Sequence, residues 1–432
     1  VKPTKSMGIL SLSDIANDPR VRRQGDALHQ AGWSVFGVGL PGRPAPQPAW
    51  KIFTEPELSY DAEPQVPSSG ARLAGMIRRV RSRFKRVPLA RKLWSVVRAA
   101  KRLADLLAIW WRPEHAQRLY WTWPEPLQLY RACQGRTADI WLANDWITLP
   151  LAARLARECG GVYVYDTHEL ALHEYSERLQ WRLFKRPVIA AIERAGIQGA
   201  RHVSAVSNGI AATLKAEYGL AQLPTVIRNM PSYQEATFQP VGSSIKVLYH
   251  GILVPNRGLE EAIESVRSWR SDLCLTLRGP GNAAYLDALR ARADALGVGD
   301  RVIFAAPVAM TDLVSEARRF DVGFFALPGH SRHNRYALPN KFFEYVMAGL
   351  ALCVSDLPEM SALLKEHDLG VVIPDTCPDT IAATVNALTP ASIEGYKRNA
   401  LRAAQELNWD CESRKLISAY DALVDDVRRM EV

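Results

Sequence analysis

Residues 336–359 read YALPNKFFEYVMAGLALCVSDLPE, and this stretch decides the fold class. Pro339 is placed to start a helix over Lys341 to Ala348, and Gly349 to stop it before an apolar strand, Leu350 to Val354. A helix feeding directly into a buried strand is half of an α/β unit. The first-turn amides near Asn340 and Lys341 have no partner within the helix and stand at its positive end, which makes an anion site. Lys341 and Glu344, three positions apart, share one face. A cation beside a phosphate and a carboxylate that accepts two ribose hydroxyls suit that spacing.

The same alternation extends outward on both sides. Tyr249 to Leu259 (YHGILVPNRGL) is a strand, a loop presenting Arg257, and a helix start. Strands are expected at Lys246 to Tyr249, Leu273 to Leu277, Val302 to Phe304 and Val322 to Ala326, with helices at Leu259 to Trp269 and Ala283 to Leu296. Strand Leu350 to Val354 closes this repeat. Gln239 to Ser244 (QPVGSS) is the linker before it. Upstream, strands are expected at Met7 to Leu12, Trp33 to Val38, Asp139 to Ala143, Val162 to Asp166, His202 to Ser207 and Val226 to Arg228. Helices fall at Pro19 to Ala31, Thr148 to Cys159, Glu174 to Gln198 and Asn208 to Tyr218, and residues 41–70 read as an irregular excursion. The expectation is an α/β protein of two Rossmann-like parallel-sheet domains, residues 1–240 and 245–400, facing a central cleft. Residues 401–432 form a helical segment expected to pack back toward the first domain.

Composition agrees with a cytoplasmic two-domain protein. The 432 residues are 48% hydrophobic and 23% charged, and the six cysteines include no CxxC pair, which argues against a zinc site or disulfide framework. No apolar run reaches the length of a membrane span, and no apolar stretch precedes a cleavage site near residue 1. The net charge of +9 is local: Pro64 to Ala104 holds 12 of the 54 basic residues and no acid. The remaining 42 basic residues face 45 acidic ones, so nucleic-acid binding is not expected. Arg78, Arg79, Arg81 and Arg83 are interleaved with Ile77, Val80 and Phe84, and Trp94 follows. A basic amphipathic insertion over about 64–112 reads as an element for an anionic membrane surface.

Several patterns fail on context. Gly37 to Gly42 (GVGLPG) matches GxGxxG but runs into a Pro-rich loop with no helix to receive a pyrophosphate. His168 and His173 are five apart, roughly 140° around a helix, and cannot share a metal. There is no GxxxxGK, no GxSxG and no Asp-x-Asp.

These stretches carry a resemblance. DPRVRRQGDALHQAGWSV, DIWLANDWITLP, YDTHEL, VSNGIAATL, YHGILVPNRGLEEAI and the 336–359 segment are together similar to retaining glycosyltransferase family 4, of the GT-B fold, in its bacterial surface-polysaccharide branch. They cover most of the chain outside residues 41–130 and the last thirty. The resemblance implies transfer of a sugar from a UDP- or GDP-linked donor to a hydroxyl of a glycan or lipid-linked glycan. It implies retention of anomeric configuration, no metal and no cofactor. Glu344 matches the family's ribose-binding glutamate, while Arg257 and Lys341 are aimed at the diphosphate. Gly251, Gly279, Pro307 and Asn340 fall where the family's backbone meets the nucleotide. Ser13, Asp14, Asn144, Asp145, His168, Glu169 and Tyr336 fall on the donor-sugar or acceptor side, and His168, Arg257 and Lys341 are the catalytic candidates.

Two positions depart from the family. The first motif glutamate is replaced by Tyr336, and a basic residue after the first-loop glycine by Ile252. The family's reaction-centre histidine aligns with Asn144, and His168 is placed to take over its polar role. Asn144 and Asp145 also suit a helix cap, and His173 and His250 read as core or surface positions. A nucleotide-sugar epimerase of the same fold and an inactive sugar-nucleotide-binding subunit are the alternatives. Turnover of donor separates them.

Overall fold

The structure, a computed structural model, describes residues 4–42, 44–54 and 103–430. Most of the basic insertion, including Arg72 to Arg102, lies outside the described residues. The first lobe is built on β1 (Ser6–Leu10), β2 (Ser34–Val38), β3 (Lys51–Phe53), β4 (Ile140–Asn144), β5 (Val162–Thr167), β6 (Val203–Ala205) and β7 (Thr225–Val226). These form one sheet in the order β3-β2-β1-β4-β5-β6-β7, every pair parallel. The second lobe holds β8 (Ile245–His250), β9 (Leu273–Arg278), β10 (Val302–Ala305), β11 (Val322–Phe325), β12 (Ala351–Ser355) and β13 (Gly370–Ile373). Their order is β10-β9-β8-β11-β12-β13, again all parallel.

Parallel sheets need cover on both faces, so their central strands read as unbroken apolar runs. All residues of β4 and of β12 are buried accordingly. Edge strands lack that signature, and two were missed for this reason. β3 is a three-residue edge strand inside the Pro-rich excursion, paired to β2 through Phe36↔Lys51 to Val38↔Phe53. β13, short and only half-buried, adds an edge beyond the strand that was read as closing the second repeat.

The stretch expected as one helix from Glu174 to Gln198 is broken. Trp181–Lys185 is a π-helical turn, and the α-helix proper is Arg186–Ile197. Pro187 explains the break, since a residue without an N–H fits only the first helical turn.

The helix Pro390–Ala403 packs on the second lobe, where Ile393, Ala400 and Ala403 join its core. The chain then crosses back. The helix Trp409–Met430 lies on the first sheet, burying Trp409, Leu416, Tyr420 and Val424 among Met7, Ile9, Leu142 and Val164. Its polar side is fastened as well, by Lys5 Nζ at 2.9 Å from Asp421 and by the Arg228 amide donating to Glu412 at 2.8 Å.

The carboxyl ends of both sheets meet across the cleft. The Gly209 amide donates to Glu359 at 2.5 Å, and Asn208 N donates to the same carboxylate at 3.3 Å. An acceptor from the second lobe thereby satisfies the amides that open helix Asn208–Tyr218 of the first. Ser207 Oγ donates to the Tyr336 carbonyl at 2.8 Å, and the Leu170 amide approaches His333 Nδ1 at 3.3 Å.

Truncating Tyr420 to Ala should cost on the order of 3 kcal/mol by opening a cavity between the last helix and the first sheet. Urea unfolding should show that loss, while Leu107→Ala, at an exposed site, should leave stability within about 0.5 kcal/mol of the parent. Equal behaviour of the two variants would contradict the packing of the last helix.

Candidate active site

The second lobe supplies a cation in an unusual seat. Pro339 is extended (φ −73°, ψ 148°) and the helix Asn340–Ala348 follows, ending at Gly349 in the left-handed conformation (φ 72°). From Phe342 onward this helix is buried, and Asn340 and Lys341 in its first turn are half-buried. Lys341 leans back over the sheet, with Nζ 4.1 Å from the Tyr249 ring centroid and 4.0 Å from that of Phe325. Such ring faces attract an ammonium but replace little of its hydration. Burial pushes Lys341 down to about 7; the like charge of Arg257 adds to this and Glu344 opposes it.

The loop after β8 is shaped around that ammonium. Gly251 has φ 129°, and a Cβ there would lie 3.0 Å from Lys341 Nζ. Gly279 (φ 151°) is held more tightly still, since a Cβ would fall 1.9 Å from the Gly251 carbonyl oxygen. These glycines let two strand ends touch and leave room above them. Arg257 stands between Asn256 (φ 66°) and Gly258 (φ 73°) in the turn before helix Leu259–Ser265, and its side chain is exposed. Ile252 is also exposed, at 62%, so no basic side chain follows Gly251. Lys341 Nζ, above Gly251, supplies positive charge to the same loop. Asn340 is half-buried at the helix start, and Pro307 is exposed just beyond β10.

Glu344 is 9% exposed, one helical turn from Lys341, and rests on a residue that sequence reading left unassigned. His250, at the end of β8, is 1% exposed; its Nε2 lies 2.9 Å from Glu344 Oε2. The contact is electrostatic, because the ring N–H does not point straight at that oxygen. The ring stacks on Tyr345 at 4.7 Å, and Arg278 Nη2 approaches Nδ1 at 3.2 Å. Burial lowers the His250 imidazole, partly offset by Glu344.

The first lobe presents an anion network centred on Asp166, the last buried carboxylate of β5. Arg20 donates to both its oxygens at 2.6 Å, Gln24 Nε2 donates at 2.7 Å, and the Ser204 hydroxyl donates as well. Burial alone would raise this carboxyl; the Arg20 guanidinium, helped by His168, overrides it and holds Asp166 far below the usual carboxylate range. Arg20 sits in the first turn of helix Pro19–Gln30, whose Asp18 cap accepts from the Arg20 and Val21 amides at 3.2 Å.

His168 is ringed by acceptors. Its Nε2 lies 3.1 Å from Asn144 Oδ1 and 3.3 Å from Asp166 Oδ2, while Nδ1 lies 3.4 Å from Asp145 Oδ2. Burial would lower the imidazole, but the charge of Asp145 and the hydrogen bond to Asp166 raise it. Acceptors stand on both sides of the ring, and these surroundings favour its protonated form. Asp145 has φ 63° and ψ 160°, a conformation that side chains rarely adopt, and its Oδ1 accepts from the His168 amide at 3.2 Å. It does not cap the following turn through its side chain. Asn144 is buried and donates to the Leu10 carbonyl at 3.3 Å. Glu169 is exposed at the cleft mouth; desolvation between the lobes and then the Asp145 charge raise its carboxyl, against the pull of His168 and Arg257.

Most of the expected residues converge on this cleft. Ser13 and Asp14 stand in the loop after β1, where Ser13 Oγ pairs with Ser11 Oγ at 2.8 Å and Asp14 accepts from Asn17 at 2.6 Å. Tyr336 behaves differently. Its ring packs against Gly209 so closely that a Cβ there would lie 2.2 Å from it, and it joins the apolar core of the first lobe. The side chain replacing the motif glutamate is thus a contact between lobes. Arg20, Asp166, His250, Arg278 and Glu359 were missed. Only a buried polar residue at a strand end could have signalled them, and Asp166, His250 and Arg278 fit that description.

Comparison with known proteins accords with this cleft. A family model for glycosyltransferase family 4 matches residues 98–230, and one for glycosyl transferases group 1 matches residues 244–389. No curated protein sequence matches the chain. Among solved structures, sucrose-phosphate synthase from Thermosynechococcus elongatus is similar at 15% identity and TM-score 0.70, covering 98% of this chain and 100% of that one. Anabaena HepE, in complex with UDP and glucose, gives 14% identity and TM-score 0.61, covering 97% and 100%. WaaG, a glycosyltransferase involved in lipopolysaccharide biosynthesis, gives 14% and 0.55, covering 96% and 99%. Two matched domains in this order, two facing parallel sheets and a cationic seat beside a buried glutamate identify the chain as a family 4-like glycosyltransferase of the GT-B fold.

Proposed function

We propose that the enzyme moves a sugar from a UDP- or GDP-linked donor to a hydroxyl of a glycan or lipid-linked glycan, retaining anomeric configuration and needing no metal. The observation that carries this reading is the pairing of Lys341 and Glu344 on one helical face, opposite the His168 cluster. The diphosphate replaces the lost hydration of Lys341 and meets Arg257 from the loop, while Glu344 accepts the ribose hydroxyls. The sugar then extends toward Asn144, Asp145 and Glu169. As the bond from C1 to the leaving phosphate oxygen breaks, the acceptor oxygen bonds to C1 on the same face. Its proton passes to the departing diphosphate. His168, held among Asn144, Asp145 and Asp166, orients Asp145 and takes no part in that proton transfer. HepE, in complex with UDP and glucose, supports a nucleotide-sugar donor by analogy.

We also infer a peripheral seat on an anionic membrane at the inner face, where lipid-linked acceptors would be met. No described helix is long and apolar enough to cross a membrane. On helical residues 103–111, Trp110 is 76% and Trp111 87% exposed, beside exposed Leu103 and Leu107. The neighbouring turn exposes Leu179, Leu183 and Phe184 among Arg178, Arg182 and Lys185. The two elements are joined through Ile109, Val188 and Ile192, so their exposed apolar side chains rise from adjoining parts of the first lobe. Indole rings flanked by cations suit a headgroup layer.

A thermal-shift panel of nucleotides should fix the base. With that nucleotide, Glu344→Ala should lose about 1.5–3 kcal/mol of binding free energy with little change in folding; unchanged affinity by calorimetry would remove Glu344 from the site. Arg257→Ala should lower kcat more than donor affinity, because leaving-group charge develops in the transition state. Activity should survive EDTA, and full loss reversed by a divalent ion would exclude the metal-free reading.

Binding is also expected to depend on pH through Lys341. In the free enzyme this proton is half lost at about 7, whereas a bound diphosphate retains it. Nucleoside diphosphate affinity should therefore fall as pH rises above that value, by up to about tenfold per unit. Lys341→Arg should flatten the profile. A steep slope persisting in that variant would assign the titration to another group.

Membrane binding is read by sedimentation with vesicles. The protein should pellet with anionic vesicles, not with neutral ones, and be released by salt. Either Trp110→Ser with Trp111→Ser, or Gln at Arg78, Arg79, Arg81 and Arg83, should weaken pelleting without changing nucleotide affinity. Indifference of the parent to anionic vesicles would dismiss the membrane seat.

A further inference from the structure

Below Glu344 lies a column of buried polar side chains to which the transfer reaction assigns no task. Arg278, at the end of β9, is 4% exposed; His250, at the end of the adjacent β8, is 1% exposed. A guanidinium has donors and no acceptor. With Arg278 Nη2 at 3.2 Å, His250 Nδ1 must be the acceptor, which leaves the ring proton on Nε2. Nε2 lies 2.9 Å from Glu344 Oε2, close enough to hold that oxygen by charge. The tautomer is thus set from beneath.

The ring has little freedom to leave this position. Tyr345 stacks on it at 4.7 Å with the planes 25° apart, and the Tyr345 hydroxyl accepts from the His250 amide at 3.0 Å. Histidine orienters behind a ligand side chain follow the same logic, in which the second nitrogen's partner decides what the first can do. Glu344 Oε1 has no protein hydrogen bond among the described residues. One oxygen is therefore approached from below by the imidazole and the other left for a ligand, and a neutral ring leaves the carboxylate its full charge.

We propose that His250, fixed in its Nε2-protonated form by Arg278, is the positioning residue that aims Glu344 at the ribose of the donor nucleotide. This rests on Glu344 as the ribose ligand. His250 touches neither sugar nor phosphate. Its effect should appear only with ligands that carry ribose hydroxyls.

The test measures binding of UDP and of 2′,3′-dideoxy-UDP by calorimetry, with the guanosine pair in parallel. The parent should prefer the hydroxylated ligand by about tenfold or more, and Glu344→Ala should abolish that preference. His250→Phe should lose most of it while binding the dideoxy ligand as the parent does. His250→Gln, which returns an N–H donor at similar reach, should restore at least part. Arg278→Gln should give an intermediate loss and carries the test if the Phe variant does not fold. Full discrimination in the His250 and Arg278 variants, with none in Glu344→Ala, would overturn the positioning role alone. Equal loss for both ligands in the His250 variants would reduce the column to packing. Discrimination surviving in Glu344→Ala would overturn the ribose assignment beneath it.

Discussion

The Arg20–Asp166 pair organises the cleft edge of the first lobe. One carboxylate, fully buried at the end of β5, gathers Arg20 and Gln24 from the first helix, Ser204 from β6 and His168 from its own loop. Removing either charge would leave the other stranded in the interior, which typically costs 3–5 kcal/mol. The pair also carries geometry. Asp145 and then Asp166 favour the protonated form of His168, and Asp145 in its rare backbone conformation accepts from the His168 amide. Charge is thereby pinned at the cleft edge of a sheet whose core is otherwise apolar.

The opposite wall obeys the reverse economy. Lys341 has aromatic rings for neighbours and a like charge in Arg257, so its ammonium lacks strong partners until an anion arrives. In the proposed donor complex a phosphate gains from a cation already in place. The glycines at 251 and 279 serve this seat by letting backbone approach backbone where a side chain would displace the ammonium. Tyr336 shows how a departure in sequence is absorbed. In place of a sugar-binding carboxylate stands a ring that docks on Gly209, and together with Glu359 on the same helix start it fastens one lobe to the other.

The architecture was legible because central parallel strands must be apolar throughout and helices must be punctuated. Pro339 and Gly349 bracket their helix as read, and the linker at 239–244 separates two sheets. What escaped was structure with weak apolar signal: β3 within prolines, β13 at an edge, and the π-helical turn before Pro187. In the site, first-turn residues such as Lys341 could be read from spacing because helix geometry fixes their neighbours. His250 and Arg278 could not. Their roles come from two adjacent strand ends and a helix distant in sequence, and no local pattern distinguishes a buried histidine that fills space from one that aims a carboxylate.

Everything proposed for catalysis places the donor nucleotide against the helix Asn340–Ala348. The most direct measurement is a crystal structure of the enzyme with the nucleoside diphosphate chosen by thermal shift. Ribose hydroxyls on Glu344, and a phosphate oxygen within about 3 Å of Lys341 Nζ, are the expected result. A nucleotide bound elsewhere in the cleft, with Glu344 contacting only His250 and no phosphate at Lys341, would contradict it.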